Sequence, residues 1–139
     1  MPNIDVIRSA VYAELAGDET LSALCTAYKG KRRPAGFTNP TITVEIANLE
    51  GAEGKGVWMC DVFVTAYVDI LSNSVADHVR HAALDAAIRL KLAGNSIDID
   101  GVKVMPLWEG EIIGPEWDAD HDTETYLERR FGMIFITFD

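Results

Sequence analysis

The side chains best spaced for chemistry lie between Asp77 and Asp85. Asp77, His78, His81 and Asp85 share one side of a helix, and histidines at i, i+3 spacing can ligate a metal. A closed site needs about four ligands, and the further donor, His121, is distant in sequence. His81 and Asp85 suit an exposed i, i+4 pair equally well. A second acidic stretch, Asp118-Ala119-Asp120-His121-Asp122-Thr123-Glu124, alternates carboxylates as a calcium loop does at its start. It then departs from that pattern. Thr123 stands where glycine makes the sharp turn, and Arg129 where a bidentate glutamate would close the site. A solvated acidic loop is the expectation. Gly51 to Gly56 is rich in glycine, but it joins two strands and does not lead into a helix N-terminus, so it is no phosphate cradle. Ser72 and Ser74 read as helix caps. No acid–base pair has a defensible spacing, so no catalytic residue, cofactor or metal is assigned and no enzymatic activity is expected.

The composition narrows the classes further. A chain of 139 residues favours one domain, here 1–139, with a real apolar core. The net charge of −10 is the wrong sign for a protein whose main task is gripping nucleic-acid phosphates. The basic cluster Lys29, Lys31, Arg32 and Arg33 lies in a loop marked by glycine and proline. It reads as a solvated loop or as a local contact with a phosphate or an acidic partner. No apolar run reaches the roughly 18 residues that span a membrane. The N-terminus lacks a basic segment followed by an apolar block, so no secretory signal is expected. Cys25 and Cys60 form no CxxC and no metal-ligand spacing, and read as buried thiols of a reducing cytoplasm.

Positioning of any site depends on the stretch from Val57 to Leu92. Val57 to Val68 is rich in β-branched and aromatic residues and predicts a long strand. Trp58, Cys60, Val62, Val64, Ala66 and Val68 alternate onto one wholly apolar face. The other face mixes Met59, Phe63 and Tyr67 with Asp61 and Thr65, which suits a central strand. A long helix follows, capped by Ser72 or Ser74 and ended by Gly94-Asn95. On a wheel of about 100° per residue, Val75, Val79, Ala82, Ala83, Ala86 and Leu90 form the stripe expected to face the sheet. Leu84, Ile88 and Leu92 fall opposite, among Asp77, Arg80, His81, Asp85 and Lys91. They predict either a contact with another subunit or cover by the C-terminal segment.

Before this stretch, Ile4, Ile7, Ala10, Val11 and Leu15 recur at helical spacing, with Asn3 as cap. Gly17-Asp18 breaks that helix. A short second helix is expected over Glu19 to Ala27, with Leu21, Leu24 and Cys25 inward. Lys29 to Pro40 is a loop. Thr41 to Ala47 alternates strictly, with Ile42, Val44 and Ile46 inward and Thr41, Thr43 and Glu45 on a wet face. After the long helix, Ser96 to Val104 predicts a hairpin about Asp100-Gly101. Met105 to Asp122 is less regular, interrupted by Pro106, Gly110, Gly114 and Pro115. Thr123 to Phe138 is the last strand. The pattern is α+β: a mostly antiparallel sheet of about five strands, with one long helix and an N-terminal helix packed on one face.

The arrangement resembles a known family. Val6-Ile7-Arg8-Ser9-Ala10-Val11-Tyr12-Ala13-Glu14-Leu15 is followed by Asp18-Glu19-Thr20-Leu21-Ser22-Ala23-Leu24, then by a basic loop ending at Asn39-Pro40-Thr41-Ile42-Thr43-Val44. Phe63-Val64-Thr65-Ala66-Tyr67 leads into an alanine-rich helix, and Glu128-Arg129-Arg130-Phe131-Gly132-Met133-Ile134-Phe135 closes the chain. Together these are similar to the tail-terminator and tail-completion proteins of tailed bacteriophages and prophages, over nearly the whole chain. The family has an order of elements and no catalytic signature. The acidic loop and the two late tryptophans are not features of it.

The resemblance implies a subunit that assembles with its own copies into a ring, commonly a hexamer. The ring would cap the tail tube, stop its growth and present a surface for head-tail joining. It implies two protein partners, the tail tube protein and the head-tail connector protein, with DNA only passing through the lumen and no membrane. The place would be the virion, in tail or neck, and the host bacterial cytoplasm during assembly. Candidate subunit contacts are Leu84, Ile88, Leu92, Trp108 and Trp117. Candidate partner loops carry Lys29, Lys31, Arg32 and Arg33, and Glu53 and Lys55. Two alternatives stay open. One is a connector or neck protein of the same assembly. The other is a small metal- or ligand-binding domain using the His78/His81/Asp85 face or the Asp118–Asp122 loop.

Overall fold

The computed structural model describes residues 4–51, 56–73, 75–93, 97–99, 102–118 and 123–137, with the backbone alone at 98, 99, 102, 104, 106–108 and 135–137. The elements run α1 (Ile4–Ala16), α2 (Glu19–Leu24), β1 (Thr26–Lys29), β2 (Thr41–Gly51), β3 (Val57–Asp69), α3 (His78–Leu92), β4 (Ile97–Ile99), β5 (Val102–Trp117) and β6 (Glu124–Thr137). The strands form one sheet in the order β1-β2-β3-β6-β5-β4. Every neighbouring pair is antiparallel except β1 with β2. The class is α+β, as the pattern predicts.

The central position of β3 follows from its composition. Cys60, Val62, Val64, Ala66 and Val68 are all buried, and meet Ile42, Val44 and Ile46 of β2 on one side and Phe131 and Met133 of β6 on the other. Helix α1 adds Ile7, Ala10, Val11 and Leu15 to the same core. That is the inward face its periodicity predicts.

The sheet has six strands because α2 is shorter than expected. The Asp18 carboxylate caps α2 by accepting from the Leu21 amide at 3.0 Å. The helix stops at Leu24, where the Cys25 amide closes on the Leu21 carbonyl. Thr26 to Lys29 then pair in parallel with Thr41 to Val44. This leaves Leu24 partly exposed and Cys25 half-buried. On the expected wet face of β2, Thr41 and Thr43 are buried, whereas Glu45 stays partly exposed and accepts from Arg8.

The hairpin expected around Asp100-Gly101 fits the pairing of Ile99 with Val102, although the turn itself lies outside the described residues. The irregular stretch after it is a strand. β5 reaches Trp117 but shifts register between Pro106 and Trp108, Glu109 and Ile112, and Ile113 and Glu116. These bulges absorb the breakers that argue against a strand. Gly114 sits at φ +104°, and a Cβ there would lie 2.5 Å from the Tyr126 carbonyl.

Helix α3 departs most from expectation. It begins at His78, where the Asp77 carboxylate accepts from the Arg80 amide, not at Ser72; Ser74 lies outside the described residues. Ala93 ends it in an extended conformation, and Gly94-Asn95 lie outside the described residues. Its buried face is also the opposite one. Leu84, Ile88 and Leu92 are in the core, whereas Val79 is 82 % exposed and Leu90 80 %. The physical reason is volume: three large aliphatics remove more apolar area from water than an alanine stripe does. Burial withdraws Leu84, Ile88 and Leu92 from the surface, so they do not serve as a subunit contact in this fold.

This inversion sets a test. Leu84→Ala should cost about 2–5 kcal/mol of unfolding free energy, as core truncations do. Val79→Ala should be near neutral, because nothing buried is lost and alanine favours the helix. Urea denaturation of both variants checks the difference. Equal effects would restore the alanine stripe to the core.

Candidate functional site

The side chains best spaced for chemistry have structural partners. His81 is buried and shares a hydrogen bond of 2.9 Å between Nε2 and the Thr125 hydroxyl of β6. Its Nδ1 has no partner among the described residues. Asp85 receives the Arg129 guanidinium in a two-pronged pair, Nε to Oδ1 at 2.6 Å and an amino nitrogen to Oδ2 at 2.9 Å. Asp77 caps the helix, and His78 points to solvent. These four groups converge on no common point, and no cluster of metal-ligating side chains occurs among the described residues. Residues 119–122, the centre of the acidic loop, lie outside the described residues. Burial pushes the Cys25 thiol up to about 11 and the Cys60 thiol up to about 12, so neither is a ready nucleophile.

Burial also lowers the pKa of His81, with His78 acting the same way and Asp77 opposing it. The neutral ring is therefore the folded form, and the unfolded chain binds the proton more readily. The contribution to stability is whole above the ordinary value of 6.5 and falls as the pH drops below it. Melting curves of the wild type and His81→Gln check this. The wild-type advantage should shrink from pH 7 towards pH 5, and a constant difference would contradict the assignment.

The basic loop divides in two. Lys31 and Arg32 are exposed. The Arg33 side chain turns inward and is only 5 % exposed. Its guanidinium lies between two rings, 3.8 Å from the Phe37 centroid and 3.6 Å from that of Tyr67. It donates to both Glu124 carboxylate oxygens, to Asp118, to the Asn39 amide oxygen and to the Thr41 hydroxyl. Asn39 donates in turn to Asp69 and Glu124. Arg33 is thus a clamp holding the loop against β3 and β6, and is not free to meet a partner. Asp118, the first residue of the Asp118–Asp122 segment, is one of the clamp's acceptors, at 3.5 Å. Arg33→Ala strands the buried Glu124 carboxylate and should cost about 3–5 kcal/mol. Arg33→Lys should recover only part of this in denaturant titrations, because an ammonium cannot fork to two oxygens and stack between rings.

Of the remaining candidates, Lys29 donates to the Ser9 hydroxyl and lies 3.9 Å from Asp5. Glu53 and Lys55 lie outside the described residues. Trp108 stands opposite Gly132 in register, and its side chain is likewise outside the described part. Trp117 is 53 % exposed at the end of β5. Two neighbours that the sequence pattern does not single out, Ile112 and Ile113, are about as exposed. The strand alternation that would reveal them is hidden by the bulges on either side. Glu109, Glu111 and Glu116 flank this arm.

Two sheet edges are open among the described residues. β5 pairs with β4 only from Val102 to Val104, so its outer edge has no neighbouring strand from Met105 to Trp117 among the described residues. β1 pairs only with β2. Beside β1 the helices leave a recess of about 230 Å³, lined by Tyr12, Leu15, Leu21, Ser22, Cys25 and Ala27 among others. Such open edges and apolar arms can receive another chain. No described helix is long and apolar enough to cross a membrane.

No protein-family model matches the chain. No curated protein matches it either. Among solved structures, the fold is similar to that of a chain in "Virion of native gene transfer agent (GTA) particle". The TM-score is 0.66 at 16 % identity, over 98 % of this chain and 99 % of that one, a likeness of fold from end to end.

Proposed function

We propose that this protein is a structural subunit of a phage-like virion. In this reading it closes with its own copies into a ring, about six in number, that caps the tail tube and offers its other face to the head-tail connector. The observation that carries the reading is the end-to-end likeness to a virion chain, with almost nothing left over on either side. The order of elements read from the sequence supports the narrower assignment to a tail terminator. The role asks for shape and adhesion and not for catalysis. The titratable groups fit that, because His81, Asp85, Arg129, Arg33 and Glu124 are spent on holding elements together. The net charge of −10 would keep DNA from adhering as it passes a lumen.

Light scattering over a concentration series, followed by negative-stain imaging of the largest species, tests this. The expected result is a discrete ring of roughly six subunits with a central hole, alone or on added tail tubes. A chain that stays monomeric and leaves tube length unchanged would overturn the reading.

A further inference from the structure

We infer that the partner of the open β5 edge is the β1 edge of a second copy of this chain, so that the sheet continues from copy to copy. This rests on the ring reading and names the surfaces that close it. Three observations converge on the pair of edges.

The first is backbone. Both edges lack a neighbouring strand among the described residues, one at each side of the sheet. Unpaired ladder groups at opposite sides let each copy donate one edge and receive at the other. The second is shape. Ile112 stands opposite Arg129, and Trp117 opposite Thr125. Arg129 and Thr125 meet α3, so Ile112 and Trp117 lie on the helix-bearing face. The recess beside β1 lies on that same face, because α1 and α2 wall it. A continued sheet therefore brings an exposed apolar arm to a recess in which Leu15, Leu21 and Ala27 lie beside polar Tyr12, Ser22 and Thr26, with partly exposed Leu24 at the end of α2.

The third observation is charge. Lys31 and Arg32, exposed, follow β1 closely, and neither has an ion-pair partner among the described residues. Glu111 and Glu116 flank the arm and are exposed. Opposite signs at the two ends fix the direction of docking and disfavour β5 against β5 or β1 against β1. Two different surfaces meeting head to tail make a heterologous contact, which closes when the rotation per copy divides a full turn.

A charge exchange tests the pairing. One variant carries Glu111→Lys and Glu116→Lys, the other Lys31→Glu and Arg32→Glu. All four positions are exposed, and among the described residues the exchanges break only the hydrogen bond that the Tyr126 hydroxyl donates to Glu116. Near-UV circular dichroism confirms that each variant is folded. Each alone should be monomeric under conditions in which the wild type forms rings, and an equimolar mixture should regain the ring mass. Variants that form rings like the wild type would overturn this interface and leave the ring reading intact. Variants that stay monomeric when mixed would overturn the pairing of these two edges. A wild type that forms no ring, alone or on tail tubes, would overturn the interface together with the reading it rests on.

Discussion

The rotation of α3 about its own axis decides what this molecule shows to its surroundings. Arg129 projects from β6 on the helix-bearing face, where a guanidinium without a counter-charge would cost several kcal/mol. Asp85 supplies the counter-charge, and His81, one turn earlier, meets Thr125. Two bonds a turn apart fix the helix both in register along the sheet and in angle over it. Once they are made, Leu84, Ile88 and Leu92 can only point inward, and Val79 with Ala82, Ala83 and Ala86 can only point out. The apolar and polar demands agree, because the same rotation buries the larger aliphatics.

Much of this is legible in the sequence wherever one periodicity stands alone. β3 alternates cleanly over its whole length, and α1 repeats cleanly at helical spacing, so the inward face of each can be read directly. α3 carries two competing stripes. Charge pattern favours the alanine stripe, because Asp85 and His81 look like marks of a wet face. Their partners, Arg129 and Thr125, are about forty residues away, and no local pattern reveals a pair of that kind. β1 is hidden for a similar reason. Four residues are too few to show alternation, and a parallel partner across the loop gives no turn signature. The bulges of β5 disguise a strand as irregular chain, and with it the exposed Ile112 and Ile113.

The loop after β1 shows how closely spaced cations can have opposite fates. Arg33 is planar and can lie flat between Phe37 and Tyr67 while its edges reach Glu124. That geometry is open to a guanidinium and closed to an ammonium. Lys31 and Arg32, just before it, are held outside by the same clamp that draws Arg33 in. The buried pair therefore does more than stabilise the loop. It sets where the two exposed charges stand relative to the β1 edge, and so gives a surface feature the rigidity of a core one. Sequence composition registers four basic residues in a loop and has no means of dividing them.

Net charge opposes the proposed assembly, since copies carrying −10 repel one another. The range of that repulsion decides the matter. At physiological salt, charges more than about 8 Å apart are largely screened, so most of the excess acid on one copy does not act on the next. What acts is the local set at the contact, where the proposed interface sets Lys31 and Arg32 against Glu111 and Glu116. Apolar area then adds attraction that salt does not screen. An arm exposing Ile112, Ile113 and Trp117 beside an unpaired edge is a liability for a lone chain. In the proposed interface a strand segment open on its edge and apolar beside it meets a surface that answers both, because the β1 edge offers ladder groups and its recess offers Leu15, Leu21 and Ala27.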